Sequence, residues 1–128
     1  MNYRRLSSKI VIAADASGRV SFAPSTTAEV WKLEEIAIVP NETSTAHASN
    51  YADLTLKKGS TAIATVRSTN SGTGSTMTQG TGEVLAITGA GANLEATLAA
   101  PIHLLVDATP GTGVAVDIQV QAVFSVKR

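Results

Sequence analysis

The sequence predicts an all-β fold, a two-sheet antiparallel β-sandwich of about eight or nine short strands with a jelly roll as the candidate topology. Three observations support it. Apolar residues recur with a period of two wherever a period can be read. Clusters of Gly, Pro, Asn, Asp and Ser interrupt the apolar segments at intervals of roughly ten residues. No segment carries a helical period, so the crossover helices that a parallel sheet requires are missing.

Residues 6–15 read as a strand, 16–18 as a tight turn and 19–23 as the returning strand, an N-terminal hairpin over 6–23 closed by Pro24. Residues 29–39 are rich in β-branched and aromatic side chains, but their apolar set changes phase: Trp31 and Leu33 are odd-numbered, Ile36 and Ile38 even. A slip of one residue reverses the buried face, so Glu34-Glu35 is expected to mark a bulge or a crossing between sheets. Trp31, in phase with Leu33, is expected in the core. Pro40 ends this strand and 41–50 is a polar loop. Residues 51–57 and 60–67, joined through Lys58-Gly59, form a second hairpin.

Residues 68–82 are a Ser/Thr/Gly tract with Met77 as the one apolar side chain. Such a segment has almost nothing to bury and is expected to be a long flexible loop, from which 70–81 can be deleted with the fold left standing. Short strands follow at 83–88, 93–99 and 102–107. In the second, Leu94, Ala96 and Leu98 alternate, although Leu-Glu-Ala also suits a helical turn. The last strand, from Val114, places Val116, Ile118, Val120, Ala122 and Phe124 on one face and Asp117, Gln119, Gln121 and Ser125 on the other, with Val123 breaking the alternation. At ~3.3 Å per residue it runs roughly 40 Å, long enough to bend between sheets or to project toward a neighbour.

The 128 residues fit a single domain, 1–128, which buries roughly two-thirds of the surface of its extended chain. There is no cysteine, hence neither a disulfide framework nor a thiolate metal site. Ten Lys and Arg balance ten Asp and Glu, so no generic attraction to nucleic acid or to anionic membrane is expected, while the absence of self-repulsion mildly favours association. Charged residues make up 16%, against roughly 25% in an ordinary soluble domain. The surface is therefore rich in Ser, Thr, Gly and Ala, which are cheap to desolvate in a contact. The basic start, residues 1–5, precedes an apolar run (10–14) too short for a signal peptide, and no stretch approaches the ~20 apolar residues of a membrane span. The expectation is a soluble free subunit beginning at its own Met1.

Candidate chemistry is sparse. His47 falls in a polar loop and His103 alternates outward from Ile102 and Leu104, so each is expected to be an inert surface histidine. Asp15, Asp53, Asp107 and Asp117 are isolated in sequence, and Glu34 and Glu35, adjacent in a strand, point to opposite faces. Asp107, ahead of the 109–113 turn, is a turn-initiating residue or a cation ligand, although its spacing matches no calcium loop. Gly72-Thr-Gly74 and Gly89-Ala-Gly91 complete no phosphate-binding fingerprint and precede no helix. No catalytic, cofactor-binding or metal-ligating set emerges, and a non-enzymatic protein that adheres to copies of itself and to a larger assembly is expected. The candidate partner contacts are Tyr3, Arg4, Arg5, Tyr51, Lys127 and Arg128. With one Trp, two Tyr and two Phe, stacking platforms for nucleic-acid bases are not expected.

Ile36-Ala-Ile-Val-Pro40, then a polar loop, Asn50-Tyr-Ala-Asp-Leu-Thr-Leu-Lys57, a Gly-Ser turn and Thr61-Ala-Ile-Ala-Thr65 resembles small virion proteins of tailed bacteriophages. The close, Leu104-Leu-Val-Asp107, Gly111-Thr-Gly113 and the alternating last strand, is similar as well. The resemblance runs from about Ile36 to Lys127. It implies a capsid decoration (cement) protein, a β-sandwich, often trimeric, bound to the major capsid protein on the outside of the shell after synthesis in the host cytoplasm. A neck, tail or fibre component shares the same expected fold. A self-assembling coat protein of a small RNA phage is the third virion reading, but that family ends in helices where this chain ends in its clearest strand. Outside virions, a carbohydrate-binding or adhesin module is the competing class, with Trp31 and Tyr51 as its only aromatic platform. An enzyme would require His103 to converge with Asp107 or Asp117.

Overall fold

A computed structural model describes residues 2–127. Its strands are β1 (Tyr3–Ile12), β2 (Ser17–Phe22), β3 (Val30–Pro40), β4 (Asp53–Lys58), β5 (Thr61–Ala62), β6 (Arg67–Ser68), β7 (Glu83–Val84), β8 (Glu95–Ala96), β9 (Ile102–Asp107) and β10 (Val116–Lys127). One antiparallel sheet runs β1-β10-β3, with β7 and β8 both on the far side of β3. The other runs β2-β9-β4, with β5 and β6 both on the far side of β4. β7 and β8 pair with opposite ends of β3, as β5 and β6 do with opposite ends of β4. Each pair is thus one interrupted strand. Counted that way, the eight-strand order is 1-8-3-6 facing 2-7-4-5, the double wrapping of a jelly roll.

The inner faces follow the period of two. Ile38, Ile118 and Val120 from one sheet meet Leu54, Leu56, Leu104 and Val106 from the other, all shielded from solvent. Phe124 lies between Phe22 and Trp31, with ring centroids 6.0 and 5.7 Å away in tilted geometry, a favourable arrangement for aromatic quadrupoles. Trp31 is a core residue, as its phase implies.

The phase change in β3 is a β-bulge. Val123 pairs with Glu35 and Phe124 with Leu33, leaving Glu34 without an opposite number. The extra residue lets Leu33 and Ile36 both point inward, and Glu34 accepts a hydrogen bond from Ser125 Oγ at 2.7 Å.

Two expectations are corrected. Residues 6–23 do not form a hairpin: β1 pairs with β10 and β2 with β9, in different sheets. Ile10, Ile12 and Phe22 are all buried, so the two strands face each other across the core as an arch. The turn lies at 13–16, where Asp15 adopts a positive φ of 65°. It is fastened to the end of β9 by Asp15 N–H to Ala108 O at 2.8 Å and Ala108 N–H to Ala16 O at 2.9 Å. Gly18 sits within β2, where a Cβ would come to 2.7 Å of Ile12 Cδ1. It serves the packing of the arch, not a turn.

Nor are residues 68–82 a free loop. Thr69 and Met77 are fully buried, and Met77 exchanges backbone hydrogen bonds of 2.9 and 3.0 Å with Ser44. Arg67 gathers the segment. Its Nη1 donates to the carbonyls of Ser68 (2.6 Å) and Ser75 (2.8 Å), its Nη2 to that of Thr76 (3.1 Å), and Nε and Nη2 bind both carboxylate oxygens of Glu83 at 2.7 and 3.1 Å. The planar fork of arginine meets these acceptors in directions an ammonium cannot.

Residues 63–66, which interrupt one split strand, and 85–88, the first part of the 85–94 interruption in the other, bond to each other. Ala64 bridges Ile87, Thr65 N–H donates to Ala86 O at 2.8 Å and Thr88 N–H to Ile63 O at 2.9 Å. The sheets are therefore laced together along this edge. At the opposite edge, β1 and β2 end their sheets without a further strand among the described residues.

Met77→Ala is expected to cost about 2–5 kcal/mol of unfolding free energy in a denaturant titration, and removal of residues 70–81 to abolish the cooperative transition. Arg67→Ala should cost about 2–3 kcal/mol by losing charge-assisted hydrogen bonds, and Arg67→Lys should recover only part of it.

Candidate interaction surface

The antiparallel register of β1 with β10 sets Tyr3 opposite Ser125 and Arg5 opposite Val123. Four of the sequence-predicted contact residues thereby meet at one end of the sandwich. Tyr3 is 52% exposed. Arg5 projects from the outer face beside Ser7, Gln121 and Val123, which flank a shallow depression. Arg4 points to the other face and lies 3.7 Å from Glu29. Lys127 donates to Glu95 Oε1 at 2.6 Å, and this hydrogen bond holds the Glu95 carboxyl below its ordinary value. Tyr51 is not part of this group: it is half-buried just ahead of β4, at the end where the 13–16 turn and the 41–52 and 108–115 loops meet. Arg128 lies outside the described residues.

Sequence reasoning missed the rest of this surface. β1 is an edge strand ten residues long, and Val11 on its outer face is 62% exposed. Val126 N–H donates to Asn2 O at 2.8 Å, which fixes the even-numbered residues of β1 as those bonded to β10. The N–H and C=O groups of Tyr3, Arg5, Ser7, Lys9 and Val11 therefore point away from the sheet. A hairpin over 6–23 would have occupied that side. The available signal was charge: residues 3–12 hold Arg4, Arg5 and Lys9 and no acid.

The histidines occupy built positions. His47 Nδ1 accepts the N–H groups of Ser49 and Asn50, each at 3.0 Å, closing a turn. His103 does alternate outward, but it is only 7% exposed, because β9 is central and its cross-strand neighbours Ser21 and Lys57 flank it. The expectation of an exposed surface histidine is corrected. Burial first, then the charges of Arg19 and Lys57, push its imidazole below the ordinary value.

Asp53 and Asp107, isolated in sequence, are directly opposed across β4 and β9. Asp107 Oδ1 accepts from Thr109 N at 3.0 Å and Thr109 Oγ1 at 2.6 Å, the local geometry of a turn-initiating aspartate. No cluster of three potential metal ligands occurs among the described residues. His103 and Asp107 share a strand face four residues apart, which separates them by roughly 13 Å, and Asp117 belongs to the other sheet, beside Asn41 and Lys9. The convergence that acid–base chemistry would require is not made by these groups.

Fold and surface together define the class: a jelly-roll sandwich with one laced and one open edge. Compared with protein-family models, with curated proteins and with solved structures, the chain matches none.

Because the folded imidazole is harder to protonate than the unfolded one, the unfolded state binds more protons once pH falls below the ordinary value of 6.5. Stability is therefore complete above that value and declines as pH drops toward the lowered folded-state value. Melting temperatures between about pH 7 and about pH 5 should fall less steeply for His103→Gln than for the parent.

Proposed function

We propose that the chain is a non-enzymatic structural subunit of a virion, a decoration (cement) protein that binds the major capsid protein on the outside of the shell, self-associates as a trimer and stabilises the particle. The observation that carries this reading is the jelly-roll wrapping with one edge closed by backbone hydrogen bonds and the other left open. Viral shell proteins are among the recurrent users of this architecture, although a fold alone does not set a function. A closed edge protects the subunit from indiscriminate pairing, and an open one provides a single directional contact. Repeated by shell symmetry, modest contacts sum to firm attachment. The low proportion of charge in the chain, 16%, keeps the desolvation cost of such contacts small.

Jelly rolls also serve as carbohydrate-binding modules. There the sugar stacks on exposed aromatics, whereas here Trp31 is buried, packed on Phe124 and donating its indole N–H to Glu29 at 3.0 Å, and Tyr51 is half-buried. These placements support the shell reading over a glycan-binding one. Electron cryomicroscopy of intact particles is expected to show the chain in many symmetric copies on the capsid exterior. A few copies confined to one vertex would make it a neck, tail or fibre component, and particles without it would overturn the assignment.

A further inference from the structure

We infer that the β1 edge is a docking site for an extended acidic segment of another protein, which adds to the sheet as a strand antiparallel or parallel to β1. The inference rests on backbone direction and charge, not on the virion reading.

Strand addition needs a row of unused backbone groups. Tyr3, Arg5, Ser7, Lys9 and Val11 present theirs outward along a ten-residue strand, enough for a full ladder with a segment of equal length. The open side of the sandwich carries Arg4, Arg5 and Lys9 on β1 and Arg19 on β2, four of the ten Lys and Arg of a neutral chain, and neither strand contains an acid. Arg5 makes no ion pair among the described residues, and Lys9 only a 3.9 Å approach to Asp117.

Charge selects the occupant. A second copy pairing antiparallel about Ser7 would set Arg5 against Lys9 twice, a like-charge opposition that disfavours cross-strand pairing. Cations on an edge turn away neutral and basic strands. A segment with carboxylates at alternate positions would instead place them opposite Arg5 and Lys9. The depression between Arg5, Ser7, Gln121 and Val123 gives one of those carboxylates a guanidinium, a hydroxyl and an amide to bind. Its apolar residues on the other face would extend the row of Leu6, Ile10 and Ile12 that β1 turns toward the core.

The test uses the full chain, labelled with nitrogen-15, and a synthetic decapeptide alternating valine with glutamate. Binding is expected to slow amide exchange at Tyr3, Arg5, Ser7, Lys9 and Val11, while the even-numbered amides of β1 are protected before and after. Arg5→Glu with Lys9→Glu should weaken the peptide by about tenfold or more and transfer binding to a valine–lysine peptide. Ser7→Pro removes an outward N–H without touching the β10 ladder and should block both peptides in a folded protein. Three results would overturn the inference. One is absence of this alternating protection. The second is the same protection appearing with protein concentration alone, which would make the edge a self-contact. The third is equal binding of a single-stranded oligonucleotide of matched charge without amide protection, which would make it a polyanion patch.

Discussion

Everything in this molecule is arranged around the backbone and inner face of β10. It is the one long strand bonded along most of its length on both sides, to β1 and to β3. Val116, Ile118, Val120, Ala122 and Phe124 supply a continuous apolar surface to the opposite sheet. Two sheets packed face to face are stable only if both inner rows are apolar and in register, and β10 sets the register for its sheet. The bulge at Glu34 follows from that demand. Leu33 and Ile36 must both meet the core across a strand whose alternation has no matching gap, so β3 takes up the extra residue.

The parts of the fold set by local period were readable in the sequence. β3 with its phase change, the β4–β5 hairpin at Lys58-Gly59 and the alternation of β10 all declare themselves through residues close together in the chain. The arch was not. A hairpin and an arch require the same two apolar strands and a short turn between them, and differ only in whether the strands lie side by side or face to face. Ile12 and Gly18 decide it, one filling space the other vacates, and that complementarity is invisible until both sheets are in place. The 69–82 segment hid its order for a related reason. Buried Thr69 and Met77 and one arginine anchor it, where composition registers only a surplus of Ser, Thr and Gly.

The candidate surface was legible in fragments. Tyr3, Arg5 and Lys127 were singled out because they are basic or aromatic and near the ends, and the β1–β10 pairing gathers them. That Ser7, Lys9 and Val11 belong with them depends on which backbone groups β10 leaves unused, a property of the ladder and not of any side chain. Tyr51 was drawn in by type alone, and the fold sends it to the far end. His103 shows the complementary failure. Alternation gave its face correctly, but burial on an outer face arises from cross-strand neighbours supplied by β2 and β4.

The pairing of β1 with β10 also dictates when this protein can become itself. Gln119 donates a side-chain hydrogen bond to Ser7, 112 positions away, and β1, the first of the described strands, has its ladder partner in β10, the last of them. Loops of that length close slowly, and sandwiches dominated by distant pairings fold on the order of milliseconds to seconds. Until β10 arrives, β1 is a basic, apolar-backed strand with both sides unsatisfied. Its three cations, which repel identical nascent chains, then act as a safeguard during synthesis, where the finished subunit uses them for selection.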